Sequence, residues 1–205
     1  MMELPPLRPM PHLLLGSHPA IDFLNTAFAP EGREIETIGD GAAFMAWMAS
    51  AGLLEESLAA KLRRRFGAKA LDATAAEARK MREWARRWIS SWRTDPRADY
   101  SKEIDVLNKF LARAASHCEV VSTTEGFRVV ERDKLESGDV LLALIARGIA
   151  ALIAEEQPSL VKACAGSSCT LWFLDRTKGH RRIFCSATAC GNRAKVAAFR
   201  ERQRT

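Results

Sequence analysis

Four cysteines near the end of the sequence have the residue type and the spacing that metal binding requires. Cys164 and Cys169 are separated by four residues, Cys185 and Cys190 by another four, and fifteen residues lie between the two pairs. Two short-spaced pairs of this kind commonly supply the four thiolates that surround one tetrahedral zinc ion. We therefore predict one structural zinc ion held by all four cysteines, with no position left open for a catalytic water.

Two disulfides or four buried thiols are the alternatives to a metal, and the cellular compartment decides between them. No secretory signal is visible in residues 1–16, and the longest apolar run, 140–154, is too short to span a bilayer. We therefore expect a cytoplasmic protein without a membrane partner, in which reduced thiols favour metal. His180 is an alternative ligand, but it lies in a basic loop where we expect it to face solvent. Cys118 stands apart from the four and is expected to be a buried, inert thiol.

Positive charge is concentrated around these cysteines. The chain has 31 Lys and Arg against 25 Asp and Glu, a net charge of +6. Residues 160–205 contain ten basic and two acidic side chains, a net +8, which leaves −2 for the rest of the chain. This asymmetry is typical of a protein that binds a polyanion through one end. A charged surface that only keeps the protein soluble is the alternative.

A basic helix is predicted over residues 192–203, directly after the last cysteine. Arg193, Arg200 and Arg204 share one face of it at helical spacing. Guanidinium groups donate paired hydrogen bonds that suit phosphates and guanine edges, so this face is predicted to bind nucleic acid. Val196 and Phe199 are expected to pack the helix against the zinc loop.

The first 157 residues predict a mostly helical domain with one small hairpin. Trp84, Trp88 and Trp92 recur every four residues, and core packing is favoured over an aromatic wall for a ligand. The fold class is therefore mainly α, with a helical domain over 1–157 and a small zinc finger with a basic helix over 158–205. Apolar periodicity and capping residues predict helices over 20–28, 42–51, 55–66, 68–91, 101–116 and 140–155, a loop over 29–38 and a hairpin over 119–132.

Residues 160–204 resemble the CGNR zinc finger. Residues 190–193 read CGNR, and Phe173 and Asp175 also match the pattern, while Phe184 stands where that family has tryptophan. The upstream stretches LLLGSHPAIDFLNT and AFMAWMASAGLL resemble the helical ABATE domain. The resemblance implies a stress-induced transcriptional regulator whose N-terminal domain senses a ligand and whose finger binds DNA. The residues predicted to contact nucleic acid are Arg181, Arg182, Asn192, Arg193, Lys195, Arg200 and Arg204.

A ligand of the helical domain is expected to contact Asp22, Asn25 and Thr26, the first two of which share a helical face. A structural role for Asp22 and Asn25 is the favoured alternative, because buried polar groups usually hold the fold.

Four functions compete. Duplex DNA is the leading partner, and single-stranded RNA would bind to the same basic side chains. In the third, the finger is a surface that binds other proteins. An oligomer is also possible, since a palindromic DNA site would require one. An enzyme is disfavoured, because the sequence has no nucleophile–base pair and no phosphate-binding glycine loop.

Overall fold

The protein is mainly helical in its computed structural model, which describes residues 14, 17–29 and 32–203. None of the described helices is long and apolar enough to cross a membrane. The helices are Pro19–Leu24 (α1), Gly41–Ser50 (α2), Glu56–Phe66 (α3), Ala68–Thr94 (α4), Ser101–Leu111 (α5), Leu141–Glu155 (α6) and Asn192–Arg202 (α7). Within the described residues the strands form three antiparallel pairs: Ala27–Phe28 (β1) with Ile35–Glu36 (β2), Ser116–Thr123 (β3) with Gly126–Asp133 (β4), and Val161–Ala163 (β5) with Trp172–Leu174 (β6).

The main hydrophobic core lies where α1, α2 and α6 pack against the long helix α4. Its largest fully buried side chains include Phe23, Trp47, Ile89 and Leu141. The start of α2 comes so close to α4 that a Cβ atom on Gly41 would lie 2.5 Å from backbone and side-chain atoms of Leu71. Only glycine fits at that position, and its presence sets the distance between the two helices.

Several helix predictions are confirmed in detail. Helix α2 begins after Asp40, whose carboxylate accepts a hydrogen bond of 2.8 Å from the backbone N–H of Ala43, as an N-cap does. The aromatic stripe of α4 is core: Trp88 and Trp92 are buried and Trp84 is half-buried. The hairpin is also confirmed, with Gly126 at φ +124 where the second strand begins.

Three local predictions are wrong, two on where a helix ends and one on the burial of a cysteine. Helix α1 ends at Leu24 rather than at residue 28, because the chain turns to form β1, which pairs with β2 inside the predicted loop. Helix α5 ends at Leu111 rather than at residue 116, where β3 already begins. Cys118 is exposed on β3 rather than buried, because both faces of this hairpin are open to solvent.

The C-terminal segment joins the helical part through the short sheet β5–β6. Val161 and Leu174, one from each strand, are buried in the main core. Phe173, between Trp172 and Leu174, points instead into a second, smaller core that contains the cysteines. The sheet therefore connects the two cores directly.

Candidate metal centre and basic helix

The four predicted cysteines come together in one cluster, with all four sulfur atoms within 4.8 Å of one another. The Sγ of Cys185 lies 3.8 Å from that of Cys169 and 3.6 Å from that of Cys190, and none of the described cysteines forms a disulfide. Tetrahedral Zn–S bonds of ~2.3 Å place sulfurs about 3.8 Å apart. The cluster is therefore compatible with one structural zinc ion.

Backbone hydrogen bonds shape the cluster around Cys164, which follows β5. The N–H groups of Cys185 and Gly166 donate to its Sγ at 3.3 and 3.5 Å. Burial raises the pKa of Cys164, but these donors outweigh it and lower that pKa below its ordinary value. Burial raises the pKa of Cys169 to about 11. A bound zinc ion would oppose this increase, because a coordinating thiol is held as the thiolate.

Asp175 organises the loop that precedes the second cysteine pair. Its carboxylate is fully buried and accepts hydrogen bonds from Lys162 Nζ at 2.6 Å, from the backbone N–H of Arg182 at 3.0 Å and from Thr177. Burial opposes ionisation, but these donors hold the pKa of Asp175 well below its usual range. The ionised carboxylate thus ties the 176–182 loop to β5.

Arg181 and Arg182 differ in how available they are. The guanidinium of Arg182 lies 4.3 Å from the ring centroid of Phe173 and donates to the backbone carbonyls of Phe184, at 2.9 Å, and Cys185. Arg181 is exposed. The structure therefore places Arg182 inside the framework of the finger and Arg181 on its surface. His180 is exposed and lies outside the sulfur cluster, as predicted.

Helix α7 leaves the metal cluster through a π-helical turn, Ala187–Gly191, that contains Cys190. No described residue of α7 is buried. Val196 and Phe199 are 49% and 54% exposed, so the predicted packing against the zinc loop is wrong. The contact to the cluster is made near the start of the helix instead, where Arg193 Nη2 lies 3.1 Å from Cys190 Sγ.

An open groove of about 720 Å³ follows one side of α7. Of the other predicted nucleic-acid residues, Asn192, Lys195 and Arg200 are exposed on the helix, and Arg204 lies outside the described residues. The groove is lined by Thr188, Ala189, Asn192, Arg193, Val196, Ala197 and Arg200.

The three predicted ligand-binding residues lie on or after α1, and two of them bind other parts of the protein. The amide of buried Asn25 donates to Trp172 O at 2.9 Å and accepts from Trp172 N at 2.8 Å. Buried Thr26 donates from its hydroxyl to Phe23 O at 2.8 Å and accepts from Arg82. Asp22 is half-exposed on α1. The contacts of Asn25 and Thr26 support a role in holding the fold, rather than in binding a ligand, for those two residues.

Sequence reasoning missed the arginines that α4 places against its neighbours. Buried Arg82 forms a two-pronged ion pair with Glu36 on β2, with N–O distances of 2.9 and 2.7 Å. Arg86 donates to the backbone carbonyls of Leu24 and Ala27. The guanidinium of Arg93 stacks on the ring of Trp172 at 4.9 Å. Their signal in the sequence was weak, because arginine on an amphipathic helix normally faces solvent.

Comparison with known families gives two matches that together cover most of the chain. Residues 17–156 match the ABATE family, described as "Putative stress-induced transcription regulator". Residues 161–203 match the CGNR zinc finger. A search of curated proteins finds no match.

Proposed function

Because this chain belongs to the ABATE family and carries a CGNR zinc finger, we propose that it is a transcriptional regulator that binds duplex DNA through α7. The observation that supports this most strongly is the exposed basic helix itself. Arg193, Lys195, Arg200 and Arg202 lie on an eleven-residue helix with no buried residue, opposed by one acid, Glu201.

The metal cluster is the anchor of this helix in the proposal. Cys164, Cys169, Cys185 and Cys190 bind one zinc ion, and Cys190 lies in the turn that leads into α7. A zinc ion with four protein ligands has no open coordination position, so its role is structural. It holds α7 in a fixed orientation, which a helix that enters a DNA groove requires.

Among the arginines of α7, Arg200 is the main phosphate or base contact. It is exposed and lines the groove along the helix. Arg193 serves a double role, because its guanidinium also contacts the sulfur of Cys190. Arg181 adds positive charge from the neighbouring loop.

The helical domain, residues 1–157, senses a ligand in this proposal, and the finger, residues 158–205, responds. Two residues of the helical part hold Trp172 of the finger: Asn25 by hydrogen bonds to its backbone and Arg93 by stacking on its ring. A ligand that moves α1 or α4 would therefore move β6. No enzymatic activity is part of the proposal.

Fluorescence anisotropy with labelled duplex DNA from the protein's own genome tests this function. Arg200→Gln is expected to weaken binding several-fold and to make the salt dependence of the affinity less steep, because one phosphate contact is lost. Arg128→Gln, which removes the same charge from the exposed hairpin strand β4, is the matched control. Equal DNA affinity for the two variants contradicts the proposal. If single-stranded RNA displaces the duplex DNA in competition, the finger binds RNA in preference to DNA.

A further inference from the structure

A small cleft in the helical domain lies between α4 and the start of α5, and none of the four clustered cysteines lines it. Its volume is about 280 Å³, below the 300–1,000 Å³ typical of sites for drug-sized ligands. Its size therefore suits a molecule as small as an amino acid. The cleft is lined by Trp84, Arg87, Trp88, Ser91, Tyr100 and Glu103.

The wall of this cleft is aromatic. The ring centroids of Trp84 and Trp88 are 5.3 Å apart, and those of Trp88 and Tyr100 are 6.4 Å apart, with tilted ring planes. Indole and phenol rings arranged in this way present negative π-faces that attract a cation.

Trp88 carries an unused hydrogen-bond donor. The residue is only 4% exposed, and its indole Nε1–H is buried without a hydrogen-bond partner among the described residues. A buried donor without an acceptor costs about 1–3 kcal/mol. Its nitrogen has almost no accessible surface, so a molecule in the cleft contacts the ring of Trp88 and not this donor.

Two charged residues of opposite sign also line the cleft, one on each helix. Arg87 belongs to α4 and Glu103 to α5. Neither forms an ion pair or a side-chain hydrogen bond with any residue in the described part of the chain. The cleft therefore has one positive and one negative side chain that do not pair with each other.

We propose that this cleft binds a small zwitterion that carries an ammonium group and a carboxylate. The ammonium lies on the aromatic wall beside Glu103, and the carboxylate binds Arg87. This inference names a site for the sensing role proposed above and depends on that role for its regulatory meaning.

Isothermal titration of the full chain, with tryptophan fluorescence as a second signal, tests the proposal without DNA. The probes are two zwitterions, glycine betaine and L-valine, and two half-ligands that each carry only one of the two charges, tetramethylammonium and acetate. At least one zwitterion is expected to bind at least tenfold more tightly than either half-ligand and to change the tryptophan emission. Absence of zwitterion binding, or equal binding of tetramethylammonium, overturns the proposal.

Variants of the two charges identify the site. Arg87→Gln is expected to weaken zwitterion binding at least tenfold and to leave tetramethylammonium unaffected, whereas Glu103→Gln weakens both. Arg128→Gln on the hairpin is the charge-matched control and should bind like the wild type. Unchanged zwitterion affinity in Arg87→Gln overturns the assignment. Since no DNA is present, this failure is distinct from a failure of the proposed DNA binding.

Discussion

The side-chain amide of Asn25 forms two hydrogen bonds with the backbone of Trp172, which is 147 residues away. Both the N–H and the C=O of Trp172 are satisfied by this one side chain, so the end of α1 holds a strand of the zinc finger. Ala29 strengthens the same junction by donating its backbone N–H to Thr170 Oγ1 at 2.8 Å. These three hydrogen bonds join the helical part to the finger.

Replacing Asn25 with alanine removes both bonds and leaves two backbone groups of Trp172 without their side-chain partner. We expect the free energy of unfolding to fall by about 1–3 kcal/mol. Urea denaturation followed by circular dichroism measures it. Asn108→Ala, at an exposed position of α5, is the control and should stay within about 0.5 kcal/mol of the wild type. If both variants unfold alike, the contact does not join the two parts.

Zinc content depends on Cys190. We expect one zinc ion per purified chain, and Cys190→Ser is expected to lose most of it, since a structural site needs all four ligands. Metal analysis and the loss of protease resistance in residues 161–203 report the change. Cys118→Ser is the control, because Cys118 is exposed on the hairpin and should not affect the metal. Full zinc content in Cys190→Ser would remove this cysteine from the ligand set.

Arg193 and Arg200 are expected to differ in their effect on the metal. Arg193→Ala removes the hydrogen bond to Cys190 Sγ and should speed zinc release to a chelator several-fold. Arg200→Ala should leave the release rate unchanged, because Arg200 is exposed and lies two turns further along the helix. A colorimetric chelator assay measures both rates. Identical rates would mean that Arg193 does not support the zinc site.

The Glu36–Arg82 ion pair gives stability a defined pH dependence. Burial raises the pKa of Glu36, but the hydrogen bonds from Arg82 and Ile38 outweigh it, and the folded pKa is below the ordinary value of 4.5. The pair therefore stabilises the fold above that value, and its contribution disappears as the pH falls below it. Glu36→Gln is expected to cost about 1–3 kcal/mol at pH 7 and progressively less below pH 4.5.

Chemical denaturation from pH 7 to pH 3 checks this dependence. Glu34→Gln, at an exposed position on the same segment, is the matched control and should show no such trend. A constant difference between Glu36→Gln and the wild type across this range would contradict the assignment.

Two phenylalanines of the finger are expected to respond in opposite ways. Phe173 is fully buried beside the cysteines, so Phe173→Ala should destabilise the protein by about 3–5 kcal/mol. Phe199 is 54% exposed on α7, and Phe199→Ala should change stability by less than about 0.5 kcal/mol. Thermal unfolding of both variants tests the ranking, and a large loss for Phe199→Ala would place that side chain in a core.

The features that could be predicted from the sequence are those that local chemistry determines. The cysteine spacing defined the metal cluster, and Asp40 marked the start of α2, because ligand pairs and helix caps act over a few residues. Cys118 was misplaced because a two-stranded hairpin has no core of its own to bury it. The pairing of Arg82 with Glu36 joins residues 46 positions apart, and no local pattern indicates such a contact.

Strand β6 alternates between two interiors: Trp172 and Leu174 face the helices, and Phe173 faces the sulfurs. A shift of the strand by a single residue would turn each of these side chains to the opposite face and disrupt the packing of both cores. An isolated finger cut out at residue 160 would expose the side chains that normally lie against the helices, and would then tend to aggregate. Grafting this finger onto another protein therefore requires that a matching apolar surface be transferred with it.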